Sequence, residues 1–375
     1  MPAGRIPGAL ASADSLGQVN TLIETMLAEL QPRVSDWYPD ADGAIRPDVD
    51  EVDARASAHI IRVSVPRSGA PPARLIVKAG WGETMPDSSD RPRLVEITNL
   101  ADRRRLELAA LRMIEARLVE VGDPNLVAVR PLGLLPESSA VVMEAFEGEP
   151  LHRHLMRGPF QPGATRRPTT LARTAGRWLR ILHDTPPTTQ QVRQAARSDL
   201  AAAFASYGSF LAATRGTNEL DPLVAAGIDA VWRLPDPLPL VITHGDFAPR
   251  NILVDATGRL AVIDLLARWQ APAYEDVAAF LVALHTSRAN AVTRGVLFGP
   301  TFERLEPAFL AGYYGSEPVP RHAIGVYELL LVLDKWAART SRRTPRGLRR
   351  VSERILDDHY LARSRLLARR LAEAA

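Results

Sequence analysis

Apolar and polar residues follow two different periods along this chain, and the change of period divides it. Residues 59–65 and 74–78 are β-branched runs separated by the Pro- and Gly-rich turn 66–72, a strand–turn–strand signal. Further strands are predicted at 126–135 and 140–146, with Gly148 breaking the last run. Between the two pairs, residues 99–121 carry Leu106, Leu111, Ile114 and Leu118 at helical spacing. An amphipathic helix is expected at 16–30, and the Asp- and Pro-rich stretch 36–58 predicts loops with one short strand. After Glu149 helical periods dominate, at 166–184, 190–215, 220–233, 274–287, 301–313, 321–340 and 346–373. An island of short strands at 239–264 interrupts them.

This pattern predicts an α+β protein of two lobes. Residues 1–147 form a sheet-rich lobe with a helical N-terminal extension and one long helix, and 148–375 form a mostly helical lobe. The chemistry is expected between the lobes, where clefts form.

Composition narrows the class. At 375 residues, 46% hydrophobic and 24% charged, the chain reads as an ordinary globular protein, and no stretch of 18 apolar residues predicts a membrane span. The N-terminus lacks a secretory pattern, and the absence of cysteine excludes disulfides, zinc–thiolate sites and cysteine nucleophiles. Both features fit a cytoplasmic protein. Of 46 basic residues only Lys78 and Lys335 are lysines. Where arginine has replaced lysine almost everywhere, a surviving lysine marks a place where a compact ammonium matters.

The most informative segment is 243–251, Thr-His-Gly-Asp-Phe-Ala-Pro-Arg-Asn, which reads H-G-D-x-x-x-x-N. The apolar run 238–243 delivers it at a strand end. The β-branched runs 252–254 and 260–263 flank a turn, Asp255-Ala256-Thr257-Gly258. That hairpin brings Asp264 back beside Asn251, although 13 residues separate them. An amide and a carboxylate converging on one point suit Mg²⁺, which takes few protein ligands together with phosphates. Asp246 can then accept the proton of an acceptor hydroxyl, which completes the layout that phosphoryl transfer needs.

These residues resemble the aminoglycoside phosphotransferase and choline kinase-like family, relatives of the protein kinases that phosphorylate small molecules. The resemblance implies a protein-kinase-like fold, Asp246 as catalytic base, and Asn251 and Asp264 as magnesium ligands. His244 would brace the loop. Leu75-Ile76-Val77-Lys78 is similar to the family's third strand, whose lysine grips the α- and β-phosphates, with Glu107 its favoured helix partner and Glu96 an alternative. Residues 141–151, with Glu144 and Phe146, resemble the hinge whose backbone binds adenine. Residues 178–183 resemble a helix ending in Leu-His. Two departures stand out. Residues 271–278 keep Pro272 and Asp276 but lack the family's Gly-Asp, and Leu265 replaces an aromatic. No Walker motif is present, and the turn 53–58 before Lys78 has no glycine, leaving Ser57 and neighbouring amides to contact phosphate.

From Arg339 onward eleven arginines face four acids, a balance of +7 against −4 for the rest of the chain. This tail is either a solvated helix face or a surface for an anion, and it argues mildly against cationic acceptors. Asp357, Asp358 and Glu328 could still line a pocket. No recognised motif supports nucleic-acid binding.

The expectation is therefore an enzyme that moves the γ-phosphoryl of ATP, or of GTP, to a hydroxyl of a small molecule, anionic ones included, with Mg²⁺. The alternatives are a silent nucleotide-binding regulator on the same fold, or a kinase for a polymeric, glycan or protein acceptor.

Overall fold

A computed structural model describes residues 13–54, 58–80, 92, 100–157, 166–187, 189, 191–194, 196–215, 219–265, 267, 269–341 and 348–373. They divide into two compact units, with Ala128–Glu147 in the first and Arg117–Val127 and all from Gly148 in the second.

The first unit contains α1 (Ala13–Leu30), a 3-10 turn, α2 (Val34–Trp37), β1 (Arg46–Ala54), β2 (Ala58–Val65), β3 (Ala73–Gly80), α3 (Leu100–Val121) as far as Ala116, β4 (Pro131–Leu135) and β5 (Ala140–Glu144). Its strands form one antiparallel sheet in the order β1-β2-β3-β5-β4. Period-two alternation sends Ile61, Val63, Val65, Leu75, Val77 and Ala79 into a single core, which Met26 and Leu30 of α1 and Val34 of α2 close. Each side chain buried as fully as Met26 or Leu30 contributes about 2 kcal/mol, enough to hold α1 in place.

The region 36–58 departs from the sequence expectation. After α2 it runs as loop over 38–45, as expected, but its strand, β1, is nine residues long rather than short. The physical reason is its position, because β1 is an edge strand and an edge accepts Pro47 and repeated acids that a central strand would not. The run 126–135 also splits. Val127 donates to the Leu260 carbonyl and Leu260 donates to that of Asn125, so these residues join the second unit and β4 begins only at Pro131.

The second unit contains β6 (Glu149–Pro150), α4 (Leu151–Arg157), α5 (Arg166–His183), α6 (Arg197–Arg215), α7 (Asp221–Val231), β7 (Leu240–Ile242), β8 (Ile252–Val254), β9 (Leu260–Val262) and β10 (Gln270–Pro272). The chain continues as α8 (Tyr274–His285), α9 (Arg288–Val292), α10 (Gly299–Tyr314), α11 (Arg321–Thr340) and α12 (Leu348–Glu373). Strands β6, β8 and β9 form one small sheet, and β7 pairs with β10. The helix expected from 190 starts only at Arg197. The backbones of Gln191 and Arg193 bond instead to Gln270, which holds that segment extended. Ser287 caps α9 through the Asn290 N–H and so ends the expected helix 274–287 early.

Helices α5 and α10 meet backbone to backbone. A Cβ on Gly176 would stand 2.2 Å from the Phe309 carbonyl oxygen, and one on Gly312 would stand 2.0 Å from that of Arg173. Only glycine permits this approach, and it sets Trp178 and His183 beside Phe309 and Tyr313 beneath the loop described next.

Candidate active site

The hairpin forms as its turn chemistry dictates. Asp255 Oδ1 accepts from the Thr257 and Arg259 N–H groups and the Thr257 hydroxyl, and Oδ2 accepts from Arg259 Nε at 2.7 Å. Burial alone would raise the Asp255 pKa, but these donors outweigh it and hold the carboxyl down at about 2. Gly258, at φ +94°, completes the turn. Pairing of Ile252 with Val262 extends to a bond from the Ile263 N–H to the Asn251 carbonyl. The hairpin thereby returns Asp264 to the level of Asn251. Asp264 itself adopts φ +61°, a left-handed conformation that Asp tolerates better than most residues.

Asp246 and Asn251 are joined directly. Asn251 Nδ2 donates to the Asp246 carbonyl at 2.9 Å and to its Oδ2 at 3.0 Å. The amide oxygen, on the opposite side of the group, is the atom a hard cation would take. Asp246 is half-exposed, and Arg250 Nη2 lies 2.5 Å from each of its carboxylate oxygens.

His244 is buried and works as a brace. Its Nδ1 accepts from the Asp246 N–H at 3.3 Å, so Nε2 carries the hydrogen donated to the Ile263 carbonyl at 3.1 Å. One neutral imidazole thus ties the Asp246 backbone to the residue before Asp264, and burial pushes its pKa down. Asp276, at the start of α8, anchors the same loop. Its Oδ2 accepts the His244 N–H at 2.6 Å and its Oδ1 the Gly245 N–H at 3.0 Å. His183 supports Asp276 at 3.2 Å and is itself held by the Tyr313 hydroxyl at 2.7 Å. Burial opposes the Asp276 charge, yet the His183 ring and the loop's N–H groups hold its carboxyl below the usual range. Beneath the loop, Phe247 stacks on Trp178 with ring centroids 5.8 Å apart.

In the first unit, β3 presents Lys78 on the face opposite Val77. Lys78 Nζ donates to Glu107 Oε1 of α3 at 2.5 Å, and Arg104 holds Glu107 Oε2 at 2.7 Å. All three side chains are buried. Of the two glutamates weighed as the lysine's partner, Glu107 takes the contact, and Glu96 lies outside the described residues. So does Ser57.

Glu144 spends its side chain on Tyr38 and Arg130, and the Ala145 N–H goes to the Arg74 carbonyl. Phe146 follows, half-buried, beyond the end of β5.

The arginine tail is partly neutralised. Arg339 pairs with Glu353, Arg365 approaches Glu219, and Arg363 is buried against Glu328. Asp357 is taken by Trp336 Nε1 and Arg215. Glu328 and Asp357 therefore serve packing rather than standing as open pocket carboxylates. Residues 342–347 lie outside the described residues. Spacing alone did not single out Arg250, which occupies an unspecified position of the motif. Asp276 and His183 did carry a signal, as the remnants of two weaker family features.

Comparison with known proteins agrees with this geometry. The phosphotransferase enzyme family, APH, matches residues 88–288. No curated protein matches the sequence. Among solved structures, a candidate aminoglycoside phosphotransferase from Ralstonia eutropha JMP134 superposes with a TM-score of 0.53 at 12% identity, covering 93% of this chain and 98% of that one. An amicoumacin kinase bound to AMP-PNP and Ca²⁺ gives 0.51 at 10% identity, over 83% and 87%. A spectinomycin phosphotransferase with ADP and spectinomycin gives 0.50 at 12%, over 91% and 98%. These likenesses establish the protein-kinase-like fold. With more than half of its length matched, the chain belongs to the APH phosphotransferase enzyme family.

Proposed function

We propose that this phosphotransferase moves the γ-phosphoryl group of ATP, or of GTP, to a hydroxyl of a small molecule. The observation that carries this reading is the assembly of Asp246, Asn251 and the returning Asp264 at one hairpin, with the Asn251 amide bonded to the Asp246 carboxylate. In the transfer, the acceptor oxygen forms a bond to the γ-phosphorus and the bridging oxygen leaves with the electron pair on the diphosphate. Asp246 takes the acceptor proton. Lys78, held in place by Glu107, offsets charge on the α- and β-phosphates. Ser57 and the backbone near Glu144 and Phe146 are the proposed contacts to phosphate and adenine.

The donor set fits magnesium, since Asn251 Oδ1 and the Asp264 carboxylate are hard oxygens on adjoining residues of one hairpin. When bound there, Mg²⁺ would neutralise charge on the phosphates. The cysteine-free composition supports the cytoplasm as the place of action.

One observation favours the alternative of a silent nucleotide-binding protein, namely Arg250 covering both oxygens of the base. A screen of hydroxylated acceptors with radiolabelled ATP separates the two readings. Asp246→Ala should abolish transfer, while Mg-ATP affinity stays within a few-fold. Asp264→Ala should weaken Mg-ATP binding itself. Binding of nucleotide with no transfer to any acceptor would establish the silent alternative.

A further inference from the structure

Arg250 covers the base, and the manner of the contact gives it a role. It lies in the 3-10 turn Pro249–Asn251, four residues after Asp246 and directly before Asn251. One nitrogen, Nη2, bridges both Asp246 oxygens at 2.5 Å. Among the described residues Nε and Nη1 make no hydrogen bond, so most of the guanidinium's donors are open to a second anion.

The pair differs from its counterpart in the hairpin turn. Arg259 also reaches back four residues, to Asp255, but that carboxylate is buried and fixed by three further donors of its own turn. That contact is structural. Arg250 and Asp246 are both half-exposed, and an ion pair with both partners in water is weak and easily exchanged.

The transfer brings an anion to the same place. A hydroxyl that gives its proton to Asp246 lies about 3 Å from a carboxylate oxygen, and the phosphorus it attacks lies about 3 Å further. The transferring group then stands within about 6 Å of an atom to which Arg250 is already bonded, inside the swing of a long flexible side chain. The incoming hydroxyl needs a carboxylate lone pair, and Oδ2 already accepts from Asn251 Nδ2, so hydroxyl and Arg250 compete. The turn 53–58 contains no glycine to bring backbone N–H groups close to a phosphate, so a donor from the catalytic loop is wanted there.

We propose that Arg250 is a catalytic residue that exchanges Asp246 for the transferring phosphoryl group. This rests on the phosphotransferase reading above. The acceptor oxygen bonds to the γ-phosphorus, the bridging oxygen leaves with the electron pair on the diphosphate, and the acceptor proton passes to Asp246. Arg250, displaced by the hydroxyl, donates to the equatorial phosphoryl oxygens, where charge is spread in the transition state. Once the product has left and Asp246 has lost its proton to water, the ion pair re-forms. The contact that covers the base in the free protein is the resting position of this donor.

Two measurements test the exchange. With the acceptor that responds in the screen above, Arg250→Ala should lower kcat at least a hundredfold, while the KM values for acceptor and Mg-ATP move less than threefold. Guanidinium ion added to the buffer should raise the rate of Arg250→Ala at least tenfold and leave that of Asp246→Ala unchanged. A loss carried by KM alone would overturn the proposal. So would a variant as fast as the parent or faster, and a faster one would make Arg250 a brake on the base.

The second measurement uses fluoroaluminate beside Mg-ADP as a mimic of the transferring group. By titration calorimetry, fluoroaluminate should tighten Mg-ADP binding at least tenfold in the parent and less than twofold in Arg250→Ala, with Mg-ADP alone bound equally by both. Equal tightening in both proteins would overturn the role of Arg250 and leave the phosphotransferase reading standing. No tightening in the parent, together with no transfer to any acceptor, would sink both.

Discussion

Asp276 receives the backbone N–H groups of His244 and Gly245 on its two oxygens and the His183 ring on one of them, all in the protein interior. A carboxylate on α8 therefore sets the backbone from which Asp246 projects. Asp276→Ala leaves two loop donors and one nitrogen of the buried His183 ring without their acceptor, and should destabilise the second unit by about 3–5 kcal/mol. Transfer should fall at least a hundredfold even at temperatures where the variant is folded. Urea unfolding and turnover measured on the same preparation test both parts. Near-normal activity would show that the loop keeps its shape without this anchor.

Lys78, Arg104 and Glu107 predict an asymmetry. Glu107→Ala takes the shared carboxylate from two buried cations, whereas Lys78→Ala leaves Glu107 still paired with Arg104. Glu107→Ala should be the more damaging to stability, by about 2 kcal/mol or more relative to Lys78→Ala. Lys78→Ala should chiefly weaken nucleotide binding. Unfolding midpoints compared with Mg-ATP dissociation constants separate the two effects, and equal midpoints would count against the buried triad as drawn.

The α5–α10 contact tolerates no added methyl group. In Gly312→Ala the new Cβ meets the Arg173 carbonyl, a backbone atom that no rotamer change can move aside. A loss of about 1–3 kcal/mol is expected from forced separation of the helices, against a gain in helix propensity of about 1 kcal/mol. A thermal midpoint equal to or above that of the parent would show that the helices can part freely.

Asp255 predicts an acid-sensitive hairpin. Its folded pKa of about 2 lies below the ordinary 3.8, so its contribution is present above pH 4 and is lost as pH falls from there toward 2. The size is about 2 kcal/mol, at 1.36 kcal/mol for each pKa unit. Asp255→Asn should lower stability at pH 6 and flatten the decline between pH 4 and 3 in urea unfolding. A parallel decline in both proteins would place the acid-labile group elsewhere.

Much of the second unit was legible in the residues. The Asp-Ala-Thr-Gly turn carries its own donors and acceptors within five positions, so local chemistry alone closes the hairpin and returns Asp264 to Asn251. The length of strand β1 was not legible, because acids and proline read as loop until an edge position is known. The start of α6 was misread for a related reason. Its first residues are helical in pattern, but their backbone groups are claimed by Gln270, far along the chain.

The sequence by itself determined the reaction chemistry: which carboxylates and amides are present, their spacing about one turn, and the two lysines kept among arginines. These depend on residue type and on neighbours a few positions away. The tertiary structure alone decided which charges are paired. Glu107 meets Lys78 across 29 residues and Asp276 meets Gly245 across 31, while Glu328 is consumed by Arg363. Whether a charge is neutralised or available depends on the groups that packing brings within a few ångströms, and no local pattern encodes that.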